Sequence, residues 1–482
     1  MEYKNEIQVN TPRVMFAAMR SGSGKTTVTC GVLAALKKQN IKVQAYKCGP
    51  DYIDPMFHRT VIGVLSRNLD TFFTGEEQTR KLFLKDRGEN DFAVIEGVMG
   101  LYDGLGGIRK EGSSYHLAEV TKTPIILVVD VKGMGRSMIP LIAGFLSYDK
   151  AHLIKGVILN RMSAMYYATM KPMIEEELPI KVVGYVPDMK DFALQSRHLG
   201  LVMPEEITGI REDLKRLTEE ITKTVCVDEI VTIAEHAPVL NDVTDIQKAE
   251  PLKASGAGQP MIRKQKAKPH IQETPVIAVA KDEAFCFYYE ENLRLLQECG
   301  AKLVDFSPIH DTRLPDGCCG ILLGGGYPEL HAEALAANEE MKQSILEAVN
   351  EGMPVVAECG GFLYLHESIK LQNGEEYPFV GAIHARCEYK NKLVRFGYIE
   401  LEEKQSNFLP EGQKIRAHEF HYFDSSDNGS DCIATKPVTG RNYPCVIDHD
   451  YVWLSFAHLY YPSNPAFAQN FVSKASAFEK RS

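Results

Sequence analysis

Seven residues, Ser21-Gly22-Ser23-Gly24-Lys25-Thr26-Thr27, have the types and spacing to hold a phosphate. Small residues let backbone N–H groups curl around an anion, and a helix starting there adds its partial positive charge. Lys25 would reach the outer phosphates of ATP and the Thr26 hydroxyl would touch Mg²⁺, with Ser21, Gly22, Gly24 and Thr27 completing the cradle. Six residues before Lys25 the usual pattern has Gly and this chain has Met19, so the loop is a variant P-loop. Further charge follows in Lys47-Cys48-Gly49-Pro50-Asp51-Tyr52-Ile53-Asp54-Pro55. Lys47 would hold a phosphate or carboxylate, and Asp51 and Asp54 would ligate Mg²⁺ or orient a substrate. Arg67 would pair with an anionic ligand or, equally, with Asp70. Glu96, just past an apolar run, supplies a second carboxylate near the metal, and Asp103 lies further into that loop. Asn160 would read an adenine edge or cap a helix, and Arg197 adds a basic group.

A second chemistry lies far away, in Pro354-Val355-Val356-Ala357-Glu358-Cys359-Gly360-Gly361. An apolar run, a sharp turn and a helix make a nucleophile elbow with Cys in place of Ser. A thiol at a helix N-terminus is expected to have a lowered pKa, and the thiolate is the nucleophile. Backbone N–H groups at Gly360 and in Gly324-Gly325-Gly326 would form an oxyanion hole. The base is expected to be His458, with His418 and His421 as competitors.

These groups need elements to position them. Apolar runs at Val14–Ala18, Val43–Tyr46, Phe92–Ile95, Ile125–Val129 and Gly156–Leu159 predict strands of a parallel sheet buried on both faces. A doubly wound α/β domain results, with ligands at the carboxyl ends of its strands. Periodicity fades over 237–273, where Gly, Ser, Pro and lysines predict a linker. A second α/β pattern begins near Pro275, giving expected units of 1–236, 237–273 and 274–482. At 482 residues two or three domains are expected. A net charge of −10 argues against nucleic acid or an anionic membrane as partner. The polar first ten residues predict no signal peptide, and the 11 scattered cysteines predict reduced thiols in a cytoplasmic protein.

Taken in order, these motifs resemble the cobyrinic acid a,c-diamide synthase family. The resemblance rests on the P-loop, Lys47 to Pro55, Arg67-Asn68-Leu69-Asp70-Thr71, Glu96 to Gly104 and Arg197-His198-Leu199-Gly200. It continues through Ala284 to Tyr289, Gly324 to Leu330, Glu358 to Gly361 and His418 to Tyr422. It implies a dethiobiotin-synthetase-like ATP-dependent amidoligase domain followed by a class I glutamine amidotransferase-like domain. By that analogy Cys359 releases ammonia from glutamine, and ATP turns side-chain carboxylates of a tetrapyrrole polycarboxylate into acyl phosphates that ammonia displaces. Lys47, Asp51, Tyr52, Asp54, Asp103, Arg67 and Arg197 would serve the substrate and its phosphorylation; Thr26, Asp51 and Glu96 the metal; Gly325, Gly326 and Gly360 the oxyanion. A homodimer is expected. Hydrogenobyrinic acid and nickel sirohydrochlorin are alternative substrates of the same a,c chemistry. A partitioning-type P-loop ATPase switch and a cysteine hydrolase are the readings from other classes. Many glutamine amidotransferases carry Glu two residues after the catalytic His; Tyr460 stands there, so only Cys359 and His458 are assigned.

Overall fold

The computed structural model describes residues 6–9, 11–86, 92–189, 209–243 and 274–478. Arg197 lies outside the described residues.

The first half is built on a seven-stranded sheet, parallel throughout, ordered Ser66–Leu69, Val43–Cys48, Phe92–Glu96, Arg13–Ala18, Ile125–Asp130, Ile154–Asn160 and Lys181–Val186. The run Val14–Ala18 is apolar because it is central. Met15 and Ala17 enter the core on one face of the sheet, and Val14, Phe16 and Ala18 enter the core on the other. The five expected strands are present, each extended by one to three flanking residues. Ser66–Leu69 and Lys181–Val186 were not foreseen: Leu69 is the one apolar residue of the first, and Gly184 interrupts the apolar run of the second. Lys47 and Glu96 sit side by side in register on neighbouring strands, and Glu96 is in turn paired with Phe16. Three adjacent strands thus deliver the P-loop, the 49–55 loop and the 97–104 loop to one edge.

The expected linker begins later than 237. Leu240–Val243 pair antiparallel with Glu6–Val9, and Leu240 is buried in the first half's core.

The second half carries a six-stranded sheet, ordered Lys302–Phe306, Val276–Ala280, Gly320–Leu323, Val355–Glu358, Val452–Ser455 and Ile447–His449. Its first five strands run parallel and its last antiparallel. A further five-stranded antiparallel sheet, absent from the sequence reading, is ordered Asn442–Cys445, Cys432–Thr435, Arg395–Glu403, Lys414–His421 and His458–Leu459. It matters because it carries His458 and faces the first half.

The two halves share apolar packing. Tyr289 and Tyr460 belong to the first half's core, and Phe73 stacks on Tyr460 with ring centroids 4.9 Å apart. Tyr398 donates a hydrogen bond to Asp70 Oδ2 at 2.5 Å. No helix among the described residues is long and apolar enough to cross a membrane.

Candidate active sites

The P-loop leaves the central strand and turns into a helix, Lys25–Lys38. Gly24 has φ 88°, and a Cβ there would lie 2.2 Å from Asn160 Nδ2, so only glycine fits. Asn160 Nδ2 donates to the Ser23 carbonyl at 2.8 Å. The Asn160 amide thereby braces the strand ends and fixes the loop. Lys25 is buried, and its Nζ donates to the Met99 carbonyl at 2.7 Å.

Beneath the loop lies a charge network. Thr26 Oγ1 donates to Glu96 Oε1 at 2.6 Å. Lys47 Nζ donates to the same oxygen at 2.9 Å and to Asp54, with Asp51 Oδ2 at 3.9 Å. His58 Nε2 lies 3.3 Å from Glu96 Oε2, while Nδ1 meets Ser66 Oγ at 3.0 Å. Glu96 is fully buried. Burial opposes its charge, yet Lys47, the adjacent His58 and the Thr26 hydrogen bond hold the carboxyl well below its ordinary range. Burial also disfavours the Lys47 ammonium, but Asp54 and Glu96 outweigh it and raise its pKa. Asp54 goes the other way: burial, then Asp51 and Glu96, push its carboxyl up against the pull of Lys47. The Thr26 hydroxyl and these carboxylates are hard oxygen donors of the kind that suit Mg²⁺.

The remaining residues of this edge have structural partners. Asp51 Oδ1 accepts from the backbone N–H groups of Ile53 at 2.9 Å and Asp54 at 3.1 Å, shaping the loop. Asp103 Oδ2 accepts from the Gly100 N–H at 3.0 Å, fixing the 97–104 turn. Asp70 accepts from Phe72 and Phe73 N–H groups and from Tyr398. Asn68 ties Gly49 and Asp51 carbonyls together at 2.9 and 2.7 Å.

In the second half Cys359 sits between the strand ending at Glu358 and a short helix, Gly360–Tyr364. Its φ of 48° and ψ of −101° are strained for a residue with a Cβ, as an elbow requires. The expected lowering of its pKa does not occur. Burial, then Glu329, push the thiol up, and a five-residue helix offers too small a dipole to reverse that. His458 lies in register with His418 across the strand pair. Burial, then His418 and His421, depress His458 to about 3, and its Nδ1 is buried without a hydrogen-bond partner among the described residues. A Cβ on Gly325 would lie 2.3 Å from His458 Cε1, so that glycine lets the imidazole approach. Glu358, pushed to about 8 by burial, and Glu329, pushed to about 7 for the same reason, are neighbours the sequence gave no signal for.

One cleft of about 1820 Å³ joins the two edges. Pro50 to Ile53, Val98, Met99 and Gly104 to Gly107 line it from the first half; Gly326, Cys359, Gly360, His418, His421 and His458 line it from the second. Tyr52 crosses between the halves: it stacks on Phe287 at 5.0 Å and lies 5.2 Å from the His458 ring.

Residues 14–202 match the family described as CobQ/CobB/MinD/ParA nucleotide binding domain. Residues 276–465 match the CobB/CobQ-like glutamine amidotransferase domain. Over 471 residues, 97% of this chain and 99% of the other, the chain is 38% identical to a cobyrinate a,c-diamide synthase of Caldanaerobacter subterraneus subsp. tengcongensis. It is 35% identical over 477 residues (98% and 99%) to one of Dehalococcoides mccartyi. A third, from Thermoplasma volcanium, is 38% identical over 478 residues (98% and 99%).

Proposed function

Since the chain belongs to the cobyrinate a,c-diamide synthase family, we propose that it amidates the a and c acetate carboxylates of cobyrinic acid in cobalamin biosynthesis, using ATP and glutamine. The observation that carries this reading is the single cleft lined by Asp51 and Tyr52 on one side and Cys359 and His458 on the other. A phosphate-binding loop alone would suit a switch, and an elbow cysteine alone a hydrolase; neither needs the other. The ligase unit contains residues 14–202, and the amidotransferase unit residues 276–465.

A carboxylate is a poor electrophile, so ATP must first convert it to an acyl phosphate. The P-loop N–H groups and Lys25, moving off the Met99 carbonyl, hold the phosphates. Thr26, Glu96 and Asp51 would hold Mg²⁺, which neutralises charge on the phosphates. Lys47, with Asp54 and Glu96, keeps a buried cation beneath the transferring group, and Asp51, Tyr52, Asp103, Arg67 and Arg197 bind the acceptor.

In the other half Cys359 Sγ attacks the amide carbon of glutamine. His458 takes the thiol proton and passes it to the departing nitrogen, so a thioester forms and ammonia leaves. N–H groups at Gly325, Gly326 and Gly360 stabilise the oxyanion. Water then hydrolyses the thioester to glutamate. Ammonia in bulk water would become ammonium, so the shared cleft supports its transfer as the free base past Tyr52 to the acyl phosphate. The test supplies cobyrinic acid, ATP and Mg²⁺ with either glutamine or ammonium chloride. Cys359→Ala should lose glutamine-dependent amidation and keep the ammonia-dependent reaction; loss of both in a folded variant would overturn the two-site reading.

A further inference from the structure

The strands Arg395–Glu403 and Lys414–His421 alternate with period two. Ile399, Leu401, Ile415, Ala417 and Glu419 are buried on one face. The opposite face of such a pair is ordinarily polar; here its far end carries Glu400, Glu402, Lys414 and Arg416, but its other end carries Phe396, Tyr398, His418 and Phe420, with Tyr422 just beyond. The deep end of this strip docks on the first half, where Tyr398 packs on Phe72 at 4.7 Å. The outer end is uncovered. Phe396 is 59% exposed and Phe420 is 49% exposed, and they are the only exposed phenylalanines among the described residues. They face each other in register with rings 5.8 Å apart, and Tyr422 lies 5.8 Å beyond Phe420. All three line the cleft that holds Cys359 and Asp51.

We propose that Phe396, Phe420 and Tyr422 form the wall on which the tetrapyrrole macrocycle lies, so that the amidotransferase half grips the substrate that the P-loop half activates. This rests on the reading above that the acceptor is a tetrapyrrole. Such a ligand has a broad apolar face and carboxylates on its rim. Aromatic side chains bury that kind of face with few torsions to freeze and stack on it without needing hydrogen bonds. Size points the same way. Pockets for drug-sized ligands measure roughly 300–1,000 Å³, and this cleft, at about 1820 Å³, has room for a macrocycle. The same cleft is lined by Asp51 to Ile53 and Met99, where a rim carboxylate would meet the phosphate site.

The test is equilibrium dialysis of cobyrinic acid against the full chain without ATP or glutamine, read by corrin absorbance, followed by steady-state assays. Phe396→Ala with Phe420→Ala should weaken binding at least tenfold and raise the KM for cobyrinic acid in parallel. Phe396→Tyr with Phe420→Tyr, which keeps the rings, should bind within threefold of the wild type. Both rings are exposed, so the melting temperature should not move. Binding unchanged in the double alanine variant, with wild-type amidation intact, would overturn the assignment alone; so would a dimer lost in that variant while corrin binding persists. A wild-type chain that neither binds nor amidates cobyrinic acid would overturn the functional reading and this assignment with it.

Discussion

The two candidate centres handle charge in opposite ways. At the P-loop edge, ions are assembled before any ligand arrives: Lys47, Glu96, Asp54 and Thr26 are joined within hydrogen-bonding distance and are buried or nearly so. At the elbow, burial works against charge: the Cys359 thiol is pushed up, His458 is depressed to about 3, and Glu358 is raised to about 8. The difference follows from the chemistry each must do. Phosphates carry permanent charge, so a preorganised ionic cradle complements them throughout. On the proposed chemistry the thiolate–imidazolium charge is needed only in turnover, and burial disfavours it until glutamine brings its own dipoles.

The contrast can be broken most sharply at its nucleophile. Cys359→Ala should lower glutamine-dependent amidation by more than about 10³-fold, on the scale of losing a covalent nucleophile, while ammonia-dependent amidation stays near wild type in the same assay. Next, Glu96→Gln should cut ADP release by about 10²-fold or more with either nitrogen source, as for loss of a preorganised electrostatic group. An unchanged rate would remove Glu96 from the phosphate site. Tyr398→Phe acts between the centres. It leaves the buried Asp70 carboxylate without its inter-half donor, a loss of about 1.5–3 kcal/mol for a hydrogen bond to a charged group. The melting temperature should fall, and more than one glutamine should be hydrolysed per amide formed; strict coupling would show that this seam does not link the sites.

The last test reads a slope. Because the ligand-free thiol sits above its ordinary range, the thiolate fraction grows with pH across the whole accessible range. Alkylation of Cys359 by iodoacetamide should therefore rise about tenfold per pH unit from pH 6 to 9. A plateau beginning below pH 7 would mean a preformed ion pair, and the two centres would then not differ as described.

What the chain reveals without coordinates divides along the same line. The P-loop, the 47–55 loop, Glu96 and the elbow are local patterns, each a strand followed by a turn with its chemistry in a few consecutive residues, and they fall where the spacing puts them. Their partners were not legible. His58 reaches Glu96 from a helical segment, and Tyr398 reaches Asp70 across 328 residues. The Asn160 bond to the Ser23 carbonyl was not foreseen, because a strand-end amide gives no sign that it will brace a loop. The pKa of Cys359 was misjudged because helix position is written in the sequence and burial is not. The five-stranded sheet was missed because its outward face is aromatic near the cleft, which blurs the apolar–polar alternation that marks a half-buried strand.

The central claim is that ammonia made at Cys359 is used at the P-loop edge without leaving the protein. Wild-type protein given cobyrinic acid, ATP, Mg²⁺, glutamine labelled with ¹⁵N at its amide and an equal concentration of unlabelled ammonium chloride at neutral pH tests it directly. Mass spectrometry of the diamide should find ¹⁵N at both new amides; product carrying mainly unlabelled nitrogen would contradict the account.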